Sequence, residues 1–293
     1  MKRGADHFRG DRFPSAARAP WLVAAVAMSI ALTSCGNREP IAHPLVRPSE
    51  DVNAVGLRVF REGDLAAAEE YFLRGLASCE ALDYLEGKAR CLYNLGLVHR
   101  DQGELEEALD DFRLAETLFT RLDLPGGLSR TLAAQATVHA AQHHLDDARH
   151  KNEKALEIAP ESVVAEVLAN LAAIHFRLGE LSKARSLAEE AAERSSSDLV
   201  LADALFNLAR VEVEEGKHLA AERTLGRVLD LDRAADRRLR LADTLTLLGS
   251  LSLEKGSPRR AADYLRRAAG VLEALGRQEQ ADRVMGLLPE GDE

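Results

Sequence analysis

Apolar and small residues recur along this chain in a fixed frame of nearly forty positions, with charged and polar residues filling the gaps. In the stretch CLYNLGLVHRDQGELEEALDDF (residues 91–112), Gly103 serves as an anchor, with Gly96 seven residues before it and Ala108 five after. The same triplet reappears as Gly56/Gly63/Ala68, Ala136/His143/Ala148, Ala172/Gly179/Ala184, Ala209/Gly216/Ala221 and Gly249/Gly256/Ala261. Eleven residues before each anchor stands an aliphatic residue: Val52, Leu92, Leu132, Leu168, Leu205 and Leu245. Twelve after it stands a small residue or Val: Gly75, Ala115, Ala155, Ala191, Val228 and Ala268. The pattern predicts six units, each a helix, a tight turn at the anchor and a second helix packed antiparallel on the first. Glycine suits the turn because positive φ costs it nothing. The small residues mark the closest helix approach, and Phe72 and Phe112 fill the space between units.

No unit of this kind buries its apolar face alone, so the units stack into a solenoid. The frame resembles the tetratricopeptide repeat family over about residues 49–275. Leu95-Gly96, Ala108 with Phe112, and Pro160 after Ala155-Leu156 match that family's L-G-x-x-Y, A-x-x-x-F and Pro signals. The resemblance implies an all-α fold, a right-handed α-solenoid of about six helix-turn-helix units. Ala281, Val284, Met285 and Leu288 form an i, i+3, i+4, i+7 stripe, which predicts a capping helix within residues 276–293. There are departures: the anchor spacings are 40, 40, 36, 37 and 40 residues, His143 replaces the turn glycine, and Pro258 stands where unit two has Leu105.

Residues 1–34 read as a targeting segment. A basic stretch precedes WLVAAVAMSIAL (Trp21 to Leu32), an apolar run too short to span a bilayer but suited to a signal-peptide core. It ends in Leu32-Thr33-Ser34-Cys35, which resembles the lipobox of bacterial lipoproteins. The resemblance implies cleavage before Cys35 and acylation of that residue, and three acyl chains hold a protein firmly to a leaflet where one binds only marginally. An ordinary secretory signal with a chance cysteine, or a short membrane anchor, is the alternative. Gly36, not the Asp that retains enteric lipoproteins in the inner membrane, follows the cysteine, so the lipoprotein resemblance implies the outer membrane, facing the periplasm. Residues 35–48, with Pro40, Pro44 and Pro48, read as a lipidated cysteine and a tether spanning at most roughly 40 Å.

Composition and charge narrow the function. Only 4% of residues are aromatic while 46% are hydrophobic, which favours closely packed helices over a β-sandwich. The net charge of −10 includes +3 from residues 1–34, leaving −13 from Cys35 onward, so nucleic-acid binding is disfavoured. No phosphate loop, HExxH, nucleophile elbow or paired CxxC occurs, and the expectation is a non-enzyme without metal or cofactor. His139, His143 and His144 are neighbours, but His99, His139 and His175 hold one repeat position in successive units, too far apart to share a metal at ~2.1 Å. They read as packing residues. Cys79 and Cys91 lie six residues either side of Leu85, taken as the turn between units one and two; a disulfide and two buried free thiols both fit.

In the tetratricopeptide family the first helices line a groove, and an Asn nine residues before the turn often bonds a peptide backbone. That position holds Asn94, Asn170 and Asn207 here. Arg90, Arg130, Arg177 and Arg210 are placed in the same groove, with Tyr93 and Phe206 as apolar anchors. The Arg90/Asn94 pair resembles the start of a chaperone-type carboxylate clamp, but Ala134 leaves it incomplete. Together these features imply a membrane-anchored adaptor that binds an envelope protein or peptide segment, in pilus-secretin piloting or cell-wall enzyme scaffolding. A peptide-responsive sensor that changes shape is the alternative, and an enzyme hidden in the solenoid a distant third.

Overall fold

The computed structural model describes residues 47–289, so the cysteine at 35, the preceding signal and all but the end of the tether lie outside the described residues. Thirteen α-helices and no strand occur among the described residues. Units one to three are α1 (Arg47–Glu62) with α2 (Leu65–Ala81), α3 (Leu85–Gln102) with α4 (Leu105–Arg121), and α5 (Pro125–Ala141) with α6 (Leu145–Glu157). Units four to six are α7 (Glu161–Arg177) with α8 (Leu181–Arg194), α9 (Asp198–Glu214) with α10 (His218–Ala234), and α11 (Arg238–Glu254) with α12 (Pro258–Ala274). The cap is α13 (Gln278–Met285). The first helix begins at Arg47, two residues inside the stretch expected to be tether.

Each predicted anchor closes the turn within its unit. Gly103 sits at φ 90°, and His143 adopts the same left-handed region at φ 65° without glycine's freedom. The predicted small positions are where a second helix presses on the first. A Cβ on Gly96 would lie 2.6 Å from the Phe112 ring, and one on Gly56 would lie 2.6 Å from Phe72. Ala68, Ala108, Ala148, Ala184, Ala221 and Ala261, five residues after the anchors, are all buried.

The turns between units correct the expectation from sequence. The turn assigned to Leu85 falls at Asp83, and Leu85 opens α3. The same element recurs twenty residues after the anchor as Asp123, Asp236 and Gly276, all at positive φ. Aspartate visits this region more readily than most side chains, because its short carboxyl can bond locally. Units three and four lack that turn; Pro160 and the extended Ser195–Ser197 link replace it. Their second helices are also shorter, with 13 and 14 residues against 17 in α2, α4, α10 and α12. The uneven anchor spacing thus reflects one helical turn gained or lost in the second helix.

The two ends of the solenoid meet. Leu239 of α11 packs on the unit-one and unit-two cluster of Leu65, Phe72, Leu95 and Val98. Leu275, after α12, comes within 3.0 Å of where a Cβ on Gly63 would stand, and Arg277 Nη1 donates to the Asp101 carbonyl at 3.1 Å. A cavity of about 580 Å³ lies along this seam, between Glu62, Gln102, Arg238 and Arg277. The cap is narrower than predicted: Ala281 is buried and Val284 packs beside it, while Met285 is 38% exposed.

Candidate functional site

Because the ends meet, the first helices of the units enclose an inner face. Arg100 on α3 and Arg240 on α11 repel one another across it, and Asp101 interacts with Asp243. Asp243 keeps 58% of its side chain open to water, yet the surrounding protein pushes its carboxyl upward. Burial likewise raises the Tyr93 hydroxyl, and Glu166 on α7 adds to the effect.

A charged ladder runs around this face. Thirteen residues before the anchors stand Glu50, Arg90, Arg130, Glu166, Asp203 and Asp243. Arg90 reaches Glu50 at 3.3 Å, Arg130 reaches Glu166 at 2.8 Å, and Arg240 bridges Asp203 at 3.1 Å and Asp243 at 3.5 Å. Only the two arginines of this ladder stood out in the sequence. A charged residue at this one repeat position in all six units was the signal for the rest.

The ladder reassigns several residues expected to meet a partner. Arg90 also bonds the Tyr84 hydroxyl at 2.6 Å and pairs with Glu86, so its donors already join α1 to α3. Arg130 is committed to Glu166. Asn94 is buried and its amide donates to Asn53 Oδ1 at 2.8 Å; Asn207 is buried and donates to the Ala169 carbonyl at 2.9 Å. Both asparagines therefore tie neighbouring first helices together, because a buried amide takes the nearest acceptor. The Tyr93 ring packs against Phe112 at 5.9 Å, which leaves the hydroxyl as its inward part.

Asn170, Arg177, Phe206 and Arg210 remain, and they converge. Asn170, Ala173 and Arg177 follow i, i+3, i+7 on α7, and Asp203, Phe206 and Arg210 do so on α9. Among the described residues, Asn170 meets no hydrogen-bond partner, and neither Arg177 nor Arg210 has a carboxylate within ion-pair distance. The Arg210 guanidinium stacks on Phe176 at 4.0 Å, and Arg240 stacks on Phe206 at 4.5 Å. Burial, then Arg240 and Arg177, makes the charged form of Arg210 less favourable than usual. Phe176 and Arg240 are not among the residues that the repeat pattern picks out, although Phe176–Arg210 and Phe206–Arg240 share a separation of 34 residues.

The remaining candidates are structural. His99 Nδ1 meets Asp111 at 2.7 Å, and His175 Nδ1 meets Glu180 at 2.8 Å, each within its own unit. No cluster of three or more His, Cys, Asp or Glu side chains able to hold a metal ion occurs among the described residues. Cys79 and Cys91 are both buried free thiols, so the bridge considered from sequence is not formed. They lie side by side, and burial with Cys79 alongside pushes the Cys91 thiol up to about 12. At neutral pH that thiol stays protonated, which makes it a poor nucleophile for exchange. No helix among the described residues is long and apolar enough to cross a membrane.

The tetratricopeptide repeat model matches residues 53–121, 91–161 and 163–234. No curated protein matches significantly. Among solved structures, a Rap protein complexed with Competence and Sporulation Factor aligns at 17% identity with TM-score 0.60, over 81% of this chain and 72% of that one. The Rap conjugation gene regulator of plasmid pLS20, in complex with the Phr* peptide, aligns at 14% identity and TM-score 0.60, over 92% and 84%. BtubC from P. vanneervenii aligns at 20% identity and TM-score 0.52, over 72% and 92%. At these identities the likeness concerns the fold.

Proposed function

This chain belongs to the tetratricopeptide repeat family, with the fold of a protein–protein interaction scaffold, and we propose that it is a non-catalytic, lipid-anchored adaptor holding an extended protein segment against α7 and α9. The observation that carries the reading is the set Asn170, Arg177 and Arg210, whose polar groups are unspent while the charged ladder beside them is paired within the chain. An amide offers a peptide group both a donor and an acceptor. That two similarly folded Rap structures hold a factor or a peptide supports the same class of ligand here.

A photo-crosslinking residue placed in the full chain at half-buried Ala173, inside the groove, should yield adducts in cells, whereas the same residue at Leu114 should not. Leu114 is 56% exposed on a second helix. The reverse pattern would move the binding surface to the outer face. Substituting Asn170 and Arg177 together by Ala should weaken the captured segment's binding by about 1–3 kcal/mol, judged by titration, with circular dichroism unchanged.

The anchor is the second part of the proposal. It rests on Leu32-Thr33-Ser34-Cys35 and places the adaptor at the outer membrane, facing the periplasm. Piloting a pilus secretin and scaffolding a cell-wall enzyme are the two assembly roles that fit such an anchor. The variant Cys35→Ala should fail to incorporate labelled palmitate and should leave the membrane fraction or accumulate unprocessed. Undiminished labelling would sink the anchor.

A peptide-responsive sensor is the second reading, and the seam favours it. The ends are held by Leu239, Leu275 and the Arg277–Asp101 contact, a small area for a ligand to open or tighten. A change of scattering radius on peptide addition would separate a sensor from a rigid adaptor.

A further inference from the structure

We propose that Arg210 is an anion-binding position of the inner groove, and that the segment held there is acidic, placing a carboxylate on this guanidinium. The inference rests on the groove reading above and specifies its ligand.

Two arginine–phenylalanine stacks lie close enough for their arginines to repel one another, and they differ in their counter-ions. Arg240 lies over Phe206, with Asp203 three residues before that Phe and Asp243 three residues after that Arg. Both carboxylates reach it, at 3.1 Å and 3.5 Å. Arg210 lies over Phe176 in the same manner. At the corresponding offsets stand Ala173 and Val213, which can neutralise nothing. The nearest acids, Glu214 and Asp243, act on Arg210 only at a distance, and less strongly than Arg240 and Arg177 do. One stack thus contains its own counter-ions and the other lacks them.

A half-buried guanidinium crowded by two more arginines is costly without an anion. Its stacking fixes the fork in place, and a pre-set fork binds a carboxylate in bidentate fashion. Arg177 adds a second exposed charge, and Asn170, one turn before Ala173, is free to hold the adjoining backbone. The acidic body, −13 from Cys35 onward, does not defeat this. Screening over about 8 Å at physiological salt leaves the local arginines dominant at contact distance.

The test selects random ten-residue peptides by display on the full-length, detergent-solubilised chain and in parallel on its Arg210→Met form. The wild-type pool should fix Asp or Glu at one position, and the Arg210→Met pool should not. For the best peptide, exchanging that acid for its amide should weaken binding to wild type by about 10- to 100-fold, and should scarcely matter to Arg210→Met. Arg210→Lys, which keeps the charge without the fork, should retain acid selection at lower affinity, and it stands in if the Met form misfolds. A wild-type pool without an acidic position, or an acid preference that survives Arg210→Met, overturns the proposal. Peptides that lack an acid but lose affinity on the Asn170/Arg177 double substitution would leave the groove reading standing while this one falls. Peptides indifferent to all three residues, or no selected peptide, would remove both.

Discussion

Replacing Arg237 by Met is expected to cost about 3–5 kcal/mol at pH 7.5 and up to about 2 kcal/mol less near pH 4.5. Arg237 reaches Asp203 at 2.8 Å and Asp232 at 3.3 Å, and donates to the Leu199 carbonyl at 3.2 Å. Asp232 is 1% exposed, and neither of its carboxyl oxygens has an aligned hydrogen-bond donor. Burial pushes its carboxyl up from 3.8 to about 6, with Arg237 and then Arg240 pulling it back. The folded state therefore holds this proton more tightly than the unfolded chain. The resulting penalty is present in full above pH 6 and fades as pH falls from 6 toward 4. Without Arg237 the carboxyl rises further, so the part of the loss that comes from Asp232 is confined to the pH range in which Asp232 must carry charge, and the part from the Leu199 carbonyl persists below it.

The companion variant Asp232→Asn separates charge from packing. A rise from 3.8 to about 6 corresponds to roughly 3 kcal/mol of adverse charge, an upper bound on what neutralisation can recover at pH 7.5. Urea melts from pH 4 to 8 should show Asp232→Asn more stable than wild type at the alkaline end and no better at the acid end. A loss from Arg237→Met that is uniform in pH would mean that its role is packing.

The second large effect belongs to Phe112. Truncation to Ala should destabilise the chain by about 3–5 kcal/mol, since a fully buried aromatic leaves a cavity that its neighbours fill only in part. For a domain of this size that is a fall of roughly 6–20 °C in melting temperature. Phe112 is closed in by Ala108, Leu109, Ala134 and Val138, with Tyr93 at its edge. Gly96 cannot relax into the void, because it has no side chain, and its missing Cβ is the space the ring now occupies. In a solenoid each unit contacts chiefly its neighbours, so amide exchange should accelerate most in units two and three. Leu114→Ala, on the same helix but 56% exposed, is the control and should change stability by less than ~0.5 kcal/mol. Equal effects of the two substitutions would show that the register of α4 is wrong.

The repeat frame was legible because it is enforced locally. The helix crossing needs Gly96 opposite Phe112, and the turn needs a residue such as Gly103 that tolerates positive φ. Both demands recur at fixed separations, and a single chain displays them six times. The second turn, at Asp83, Asp123 and Asp236, is equally periodic, but in a sequence an aspartate bound for a left-handed turn looks like any surface carboxylate.

Which polar residues are free could not be decided that way. Asn94, Asn170 and Asn207 occupy one repeat position, and local chemistry does not distinguish them. Packing does, because Asn53 and the Ala169 carbonyl lie within reach of two of these amides and nothing lies within reach of the third. Arg90, Arg130 and Arg210 divide in the same way, by whether a neighbouring helix carries a carboxylate at the facing position. The meeting of Leu239 and Leu275 with unit one is remoter still from the sequence. It depends on the small rotation each unit adds to the last, accumulated over six units, and no single repeat contains that sum. From its sequence alone this chain is determined to be a stack of paired helices with an acidic body, since local sterics and charge suffice for both. Its closure, and the unspent cations that closure encloses, were decided only by tertiary structure, because they depend on distances between residues far apart in the chain.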